Sequence, residues 1–255
     1  MSWCDKLAST PTIGFFLEPH FAPSDAVVNA VTPMLDRWIS GRKLEFNVTH
    51  QETFRVDIQH ENGFIYRVEP TKLSLQFQHR LRLRPTSGAL PVAEFISHPH
   101  PFTRLLEEAS ESIIEMALLL PSGPKKRSVT QIGVVSTTQV NDEDLPPGLK
   151  RLIEFLGKPW PKGLSGYSVR MTADITETST YADRCIHNIS RSSDDENDDL
   201  ITLQFDYQRY STSPTPLMRD ALKREVASAT KGALAYFETL AVGDMFDEQI
   251  APSDG

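Results

Sequence analysis

The stretch Thr12-Ile13-Gly14-Phe15-Phe16 returns later in the chain as Gln131-Ile132-Gly133-Val134-Val135, with the two glycines 119 residues apart. Three further echoes follow in the same order: Arg55-Val56-Asp57-Ile58 with Thr172-Ala173-Asp174-Ile175, Leu75-Gln76-Phe77 with Leu203-Gln204-Phe205, and His98-Pro99-His100-Pro101-Phe102 with Ser213-Pro214-Thr215-Pro216-Leu217. Their offsets are 117, 128 and 115 residues. Ordered similarity at nearly constant spacing predicts a duplicated structural unit.

Hydrophobic periodicity predicts the same element order in both halves: strand, helix, three strands, helix. In the first half, Asn62-Gly63 is a hairpin turn signal, residues 73–84 alternate as one last strand, and residues 101–120 carry a helical apolar stripe. The second half has predicted strands near 129–140, 167–176, 185–190 and 200–210, a short helix after Asp144, and a long helix over 216–242.

These elements divide the chain into a first α+β repeat (1–121), a Pro- and Lys-containing linker (122–128), a second α+β repeat (129–242) and an acidic flexible tail (243–255). Antiparallel strands with one apolar face need helices on that face and leave the other face polar. The predicted fold is therefore α+β, a curved antiparallel sheet built from two copies, with helices packed on one face.

Two resemblances add to this prediction. The element order resembles that of the TATA-box-binding protein and of helix-grip folds, in which a long helix lies across a bent antiparallel sheet. The stretches Gln131-Ile132-Gly133, Leu203-Gln204-Phe205-Asp206-Tyr207 and Tyr236-Phe237 resemble a sporadically distributed family of uncharacterised bacterial proteins, although that family usually has Arg where this chain has Gln131. The second resemblance implies a bacterial cytoplasmic protein.

Composition limits the cellular location and the kinds of partner that the sequence predicts. The chain has 255 residues, 39% of them hydrophobic, with no apolar stretch long enough for a membrane span and no secretion signal at its start. Its two cysteines, Cys4 and Cys185, favour free thiols in a reducing cytosol. The net charge is −8, but nine carboxylates cluster in residues 194–199 and 244–254 with no Lys or Arg among them. The rest of the chain is therefore close to neutral.

The sequence contains no pattern that predicts catalysis or a cofactor. His98 and His100 are spaced as metal ligands can be, but a Pro-stiffened helix entry explains them, and no third ligand is indicated. Cys185 and His187 are predicted to share a strand face without forming a catalytic pair. The acidic residues 194–199 are predicted to be a solvated hairpin loop. Accordingly, we expect no catalytic residue, no metal and no cofactor.

Two features are candidate partner-binding sites. Arg80, Arg82 and Arg84 alternate along the predicted strand 73–84, which places three guanidinium groups in a row suited to phosphates or an acidic partner. The alternative is that they only protect a sheet edge from aggregation. Trp160 lies between two prolines. It is either a rigid aromatic anchor for a partner or a residue that folds over a sheet edge.

The sequence therefore favours a non-enzymatic binding or assembly protein that presents a polar sheet face and an acidic loop to another macromolecule, for example as a subunit of a bacterial multi-protein system. A protein partner or self-association is favoured over nucleic acid, and no membrane is expected. The alternatives are a small-ligand binding protein of the helix-grip kind and, third, an enzyme of unknown reaction.

Overall fold

Strands formed by alternating sequence make up most of the molecule. The computed structural model describes residues 2–7, 9–19, 32, 36, 40, 46–52, 55–60, 63–78, 80–86, 89–96, 100–120, 126–157, 166–191 and 200–242; residues 46–52, 60, 80–86, 89–96, 156–157 and 241–242 are described by backbone alone. The described strands are β1 (Thr10–Glu18), β2 (Phe46–Glu52), β3 (Arg55–His60), β4 (Phe64–Val68), β5 (Lys72–Phe77), β6 (Arg80–Thr86), β7 (Ala89–Ile96), β8 (Ser128–Asn141), β9 (Tyr167–Glu177), β10 (Tyr181–Arg191) and β11 (Leu200–Pro216).

The described helices are α1 (Trp3–Lys6), α2 (Phe102–Leu118), α3 (Pro147–Gly157) and α4 (Arg219–Val242), with one 3-10 turn at Asp142–Asp144. The helix predicted between the first and second strands of the first half lies mostly outside the described residues. None of the described helices is long and apolar enough to cross a membrane.

Nine strands form one antiparallel sheet in the order β2-β3-β4-β5-β1-β8-β11-β10-β9. The two halves of the chain therefore share one sheet, because β1 pairs directly with β8. Gly14 lies opposite Gly133 at that junction. The α+β prediction, a curved antiparallel sheet with helices packed on one face, is confirmed at this level.

The helices cover the apolar face of this sheet. Helix α2 packs on β1 and β5, helix α4 packs on β8 and β11, and the two helices contact each other. Ile13, Phe15, Leu75, Phe205 and Phe237 are at most 1% exposed within the core that results. The opposite side of the sheet carries the alternate residues of each strand.

The last strand of the first half differs from the prediction. Residues 73–84 do not form one strand, since β5 ends at Phe77 and β6 begins at Arg80. Strand β6 pairs with β7 in a separate two-stranded sheet instead of continuing in the nine-stranded one. The apolar alternation resumes in the same phase after His79, so the pattern gives no clear sign of the change of sheet. The row Arg80, Arg82 and Arg84 therefore does not belong to the main sheet.

Candidate interaction surface

The side of the nine-stranded sheet that faces away from the helices is polar, and we call it the open face. Its alternation is clear in β11, where Leu203, Phe205 and Tyr207 are buried while the residues between them are half-buried. Charged and amide side chains of the described strands dominate the open face: Arg55, Asp57, Gln59, Arg67, Lys72, Gln76, Gln131, Arg170, Asp174, Arg184, Asn188, Gln204, Asp206 and Gln208. A polar, half-exposed sheet face is therefore present, as the sequence predicted.

One row of residues crosses the open face with the same chemistry at both ends. The cross-strand register joins, from β9 to β3, Asp174, Arg184, Gln208, Gly133, Gly14, Ser74, Arg67 and Asp57. We call this the glycine row. From either end it runs Asp, Arg, a small or amide side chain, then Gly. Because an antiparallel pair has a local two-fold axis between its strands, positions counted outward from Gly14 and Gly133 correspond to each other.

An ion pair closes each end of the glycine row. Arg67 Nε donates to Asp57 Oδ1 at 3.0 Å, and Arg184 Nε donates to Asp174 Oδ1 at 2.7 Å. In both pairs the arginine follows the aspartate by ten residues. Both members of the second pair also lie 117 residues beyond their counterparts in the first.

The two pairs differ in burial. The side chain of Asp57 is 7% exposed, whereas that of Asp174 is 79% exposed. Burial alone would raise the pKa of Asp57, but hydrogen bonds and charge from Arg55 and Arg67 outweigh it and lower the pKa to about 2. Asp57 therefore stays ionised at neutral pH, and its end of the row is the more firmly fixed.

The centre of the open face holds a cation and an anion above the two glycines. A Cβ placed on Gly14 would lie 3.3 Å from Lys72 Cε, and one placed on Gly133 would lie 3.8 Å from Asp206 Oδ1. Lys72 Nζ also lies 5.4 Å from the ring centre of Phe16, a cation–π contact. The absence of a side chain at Gly14 thus leaves space for Lys72 over the middle of the sheet, and Asp206 lies over Gly133 beside it.

Hydrogen bonds hold Asp206 in place. Gln208 Nε2 donates to Asp206 Oδ2 at 2.7 Å, and the Tyr210 hydroxyl donates to Gln208 Oε1 at 2.6 Å. Burial raises the pKa of Asp206 above its usual value, and the Gln208 hydrogen bond with the charges of Lys72 and Arg170 opposes that rise only in part. The carboxylate is therefore desolvated but still oriented.

A second polar group, which we call the buried arginine cluster, lies on the helix side of the sheet. Arg209 makes two 2.7 Å hydrogen bonds to Asp183, both side chains being 4% exposed, and donates to Ser228 Oγ of α4 at 2.5 Å. Its guanidinium also lies 4.0 Å from the ring centre of Tyr181. A Cβ on Gly232 would collide with the Tyr207 hydroxyl and lie 3.1 Å from Arg209 Nη2. Gly232 in α4 is thus explained by the approach of sheet side chains, not by a neighbouring helix.

The remaining titratable groups of the core are held neutral. His187 Nε2 is 3.0 Å from the Tyr236 hydroxyl, and burial lowers the pKa of His187 to about 4. Cys4 and Cys185 are buried free thiols. Burial raises the pKa of Cys4 to about 11 and raises that of Cys185 as well. Neither thiol is a nucleophile in this state, because the thiolate is the reactive form.

The sequence-predicted site residues are only partly described. Arg80, Arg82 and Arg84 lie in β6, in register with Ile96, Glu94 and Val92 of β7. Trp160, the acidic residues 194–199, His98 and the tail 243–255 lie outside the described residues. The acidic residues connect β10 to β11, which pair as antiparallel neighbours. No cluster of three or more possible metal ligands occurs among the residues that the structure describes.

Sequence reasoning did not bring the residues of the glycine row together, although its two glycines and two aspartates all lie in the echoes. Arg67 and Arg184 repeat at the same 117-residue offset as the aspartates, so a longer comparison would have added that pair to the echoes. Lys72 and Asp206 carry opposite charges and share no sequence signal. The strand register alone reveals that they correspond.

Comparisons with known proteins add little to this geometry. No family model matches the chain, and no curated protein matches it. Among solved structures it is similar to the rolling circle replication initiator protein from Geobacillus stearothermophilus, with 9% identity and a TM-score of 0.27 over 86% of this chain and 78% of that chain. A likeness at that level carries no argument about fold or function.

Proposed function

We propose that this is a non-enzymatic binding or assembly protein whose open face engages a polypeptide partner. The observation that carries the proposal is the glycine row, with an Asp–Arg pair at each end and a glycine pair at its centre. The row holds charged and small side chains in a fixed pattern across eight strands of the open face, where a partner can contact them. The acidic loop 194–199 remains a predicted second contact.

We further propose that the sheet arose from a duplicated α+β unit. The supporting observations are the 117-residue offset of both Asp–Arg pairs and the matching positions of α2 on β1 and β5 and of α4 on β8 and β11. The Leu-Gln-Phe echo does not contribute, because the register matches Ser74 with Gln208, 134 residues apart, whereas that echo has an offset of 128. Duplication would give the open face two similar halves.

The charge of the open face favours a polypeptide over nucleic acid. Among the side chains of the open face named above, all of them described, five cations (Arg55, Arg67, Lys72, Arg170 and Arg184) accompany three carboxylates (Asp57, Asp174 and Asp206). Three of those arginines hydrogen-bond to carboxylates. Nucleic-acid surfaces instead cluster unpaired Lys and Arg.

The size of the open face fits a protein interface. At roughly 4.8 Å per strand and 3.3 Å per residue, nine strands over about five residues cover on the order of 700 Å². A standard protein–protein interface buries about 800 Å² on each partner. The helix side, by contrast, is filled by residues such as Phe15 and Phe205, and this favours a packed core over the helix-grip ligand pocket.

Site-specific photo-cross-linking tests the proposal. Benzoylphenylalanine would replace Gln131, which lies half-buried on the open face beside Phe16 and Tyr210, and in a matched control it would replace the exposed Ala235 of α4. Cells of the source organism expressing either protein are irradiated and the adducts are separated by mass. We expect a discrete protease-sensitive adduct from position 131 and none from position 235.

The alternative outcomes have definite meanings. A nuclease-sensitive adduct at position 131 would assign the open face to nucleic acid and contradict the polypeptide proposal. Equal adducts at both positions, or none at position 131 while position 235 reacts, would remove the open face as the binding surface.

A further inference from the structure

Corresponding positions beside the glycine row carry opposite charges. Lys72 lies opposite Phe16, two residues beyond Gly14, and Asp206 lies opposite Val135, two residues beyond Gly133. They therefore correspond under the local two-fold axis of the β1–β8 pair. The glycine row has the same kinds of residue on both sides of the axis, whereas Lys72 and Asp206 carry opposite charges at corresponding positions. The open face consequently has a positive and a negative side.

These two charges lie near the axis but do not form an ion pair with each other. Lys72 Cε and Asp206 Oδ1 lie over the two glycines, and the charge of Lys72 is felt at Asp206. Among the described residues, neither side chain has an ion-pair partner within 4.0 Å. Lys72 Nζ lies over the ring of Phe16, and within the part of the chain that the structure describes Asp206 accepts a side-chain hydrogen bond from Gln208 alone.

A partner that covers this centre has to supply the missing charges. Removing an unpaired charge from water costs several kcal/mol unless an opposite charge replaces the lost hydration. A polypeptide segment with an acidic side chain beside Lys72 and a basic side chain beside Asp206 meets that requirement. The same segment turned end for end would bring like charges together.

We infer that Lys72 and Asp206 set the direction in which a partner polypeptide lies across the open face, by pairing with one acidic and one basic side chain of that segment. This inference rests on the proposed function. It goes further because it names the chemistry of the partner and predicts that a pseudo-symmetric surface binds in a single orientation.

Reciprocal charge reversal tests the inference, with benzoylphenylalanine at Gln76 or Tyr210 as the probe. These positions correspond across the axis, since Gln76 lies opposite Thr12 and Tyr210 lies opposite Gln131. In the protein with Lys72 and Asp206 intact, we expect each probe to cross-link its own peptide of the partner. Lys72→Glu or Asp206→Lys alone should reduce the adduct about tenfold or more, because each places like charges together.

The double variant Lys72→Glu with Asp206→Lys should restore the adduct with the two cross-linked peptides exchanged between the probes. The neutral pair Lys72→Gln with Asp206→Asn should give both peptides at both probes. Both substituted side chains are half-buried on the surface, and an unchanged melting temperature would verify the fold of each variant.

Other results separate the inference from the proposed function. The inference would be overturned if both single variants gave unchanged adducts. It would also be overturned if the double variant kept its fold and recovered no binding. Either result would leave the open face as the binding surface. A stronger adduct with Asp206→Lys would point to a polyanion and overturn the inference too. Absence of adducts at Gln76, Tyr210 and Gln131 in the otherwise unaltered protein would contradict the proposed function itself.

Discussion

At the scale of single residues, glycines decide what each face of the sheet can do. Gly133 on the open face has room for a Cβ, with Asp206 Oδ1 at 3.8 Å as its nearest neighbour. Gly232 on the helix side has no such room, since the Tyr207 hydroxyl occupies the place of its Cβ. Packing therefore does not require a glycine at position 133, whereas it does require one at position 232.

We predict opposite effects of the two Gly→Ala substitutions on the free energy of unfolding. Gly232→Ala should lower it by about 1–3 kcal/mol, because overpacking against Tyr207 and Arg209 outweighs the gain of roughly 1 kcal/mol in helix propensity. Gly133→Ala, the matched control, should change it by less than about 0.5 kcal/mol or raise it. Urea denaturation at pH 7.5 measures both. A stabilised Gly232→Ala protein would contradict the described packing of α4 on β11.

His187 makes stability depend on pH. Burial lowers the pKa of His187 from its ordinary value near 6.5 to about 4 in the folded protein, so the unfolded chain binds the proton more readily between those values. Stability from this residue is therefore fully present above pH ~6.5 and is lost as the pH falls toward ~4. We expect a loss of about 2–3 kcal/mol between pH 7.5 and pH 4.5. Urea denaturation of His187→Gln should show a decrease in the free energy of unfolding, between the same two pH values, that is smaller by that amount. An unchanged pH profile would show that His187 is not the group responsible.

At the scale of elements, hydrophobic periodicity predicted the strands and helices whose apolar residues recur at a regular spacing. Strand β8 and helix α2 lie within about two residues of their predicted bounds, because each joins an apolar pattern to a clear break in the chain. The break between β5 and β6 was missed, because Leu73, Leu75, Phe77, Leu81 and Leu83 keep one alternation with no Gly or Pro between them. A side-chain period of two identifies a strand but not the sheet to which it belongs.

The charge-reversed variant Arg80→Glu with Arg82→Glu is predicted to leave the main sheet intact. Strand β6 pairs only with β7 among the described strands, so the nine-stranded sheet and its core do not depend on it. Thermal melting should shift by no more than a few degrees. We also predict weaker, salt-sensitive partner binding or self-association in this variant. Unchanged assembly at low and high salt would leave the arginines as protection against aggregation.

At the scale of the whole molecule, the sheet places two surfaces back to back. The helix side holds the core and the buried arginine cluster, and the open face holds the glycine row with Lys72 and Asp206 at its centre. The sequence could predict that one face is polar, since alternation implies it. It could not predict the glycine row, because the residues of that row come from eight separate strands and only their register brings them together.

The most direct test of the open face as a binding surface is to obstruct its centre. Gly133→Leu adds a side chain over the glycine pair at a position with space for its Cβ, and Ala235→Leu adds similar bulk to the exposed side of α4. Each tagged protein is purified from cells of the source organism, and bound partner is measured per mole of tagged chain. We predict that Gly133→Leu loses partner at least about tenfold while Ala235→Leu retains it. Equal retention by both variants, with melting temperatures unchanged, would contradict the account.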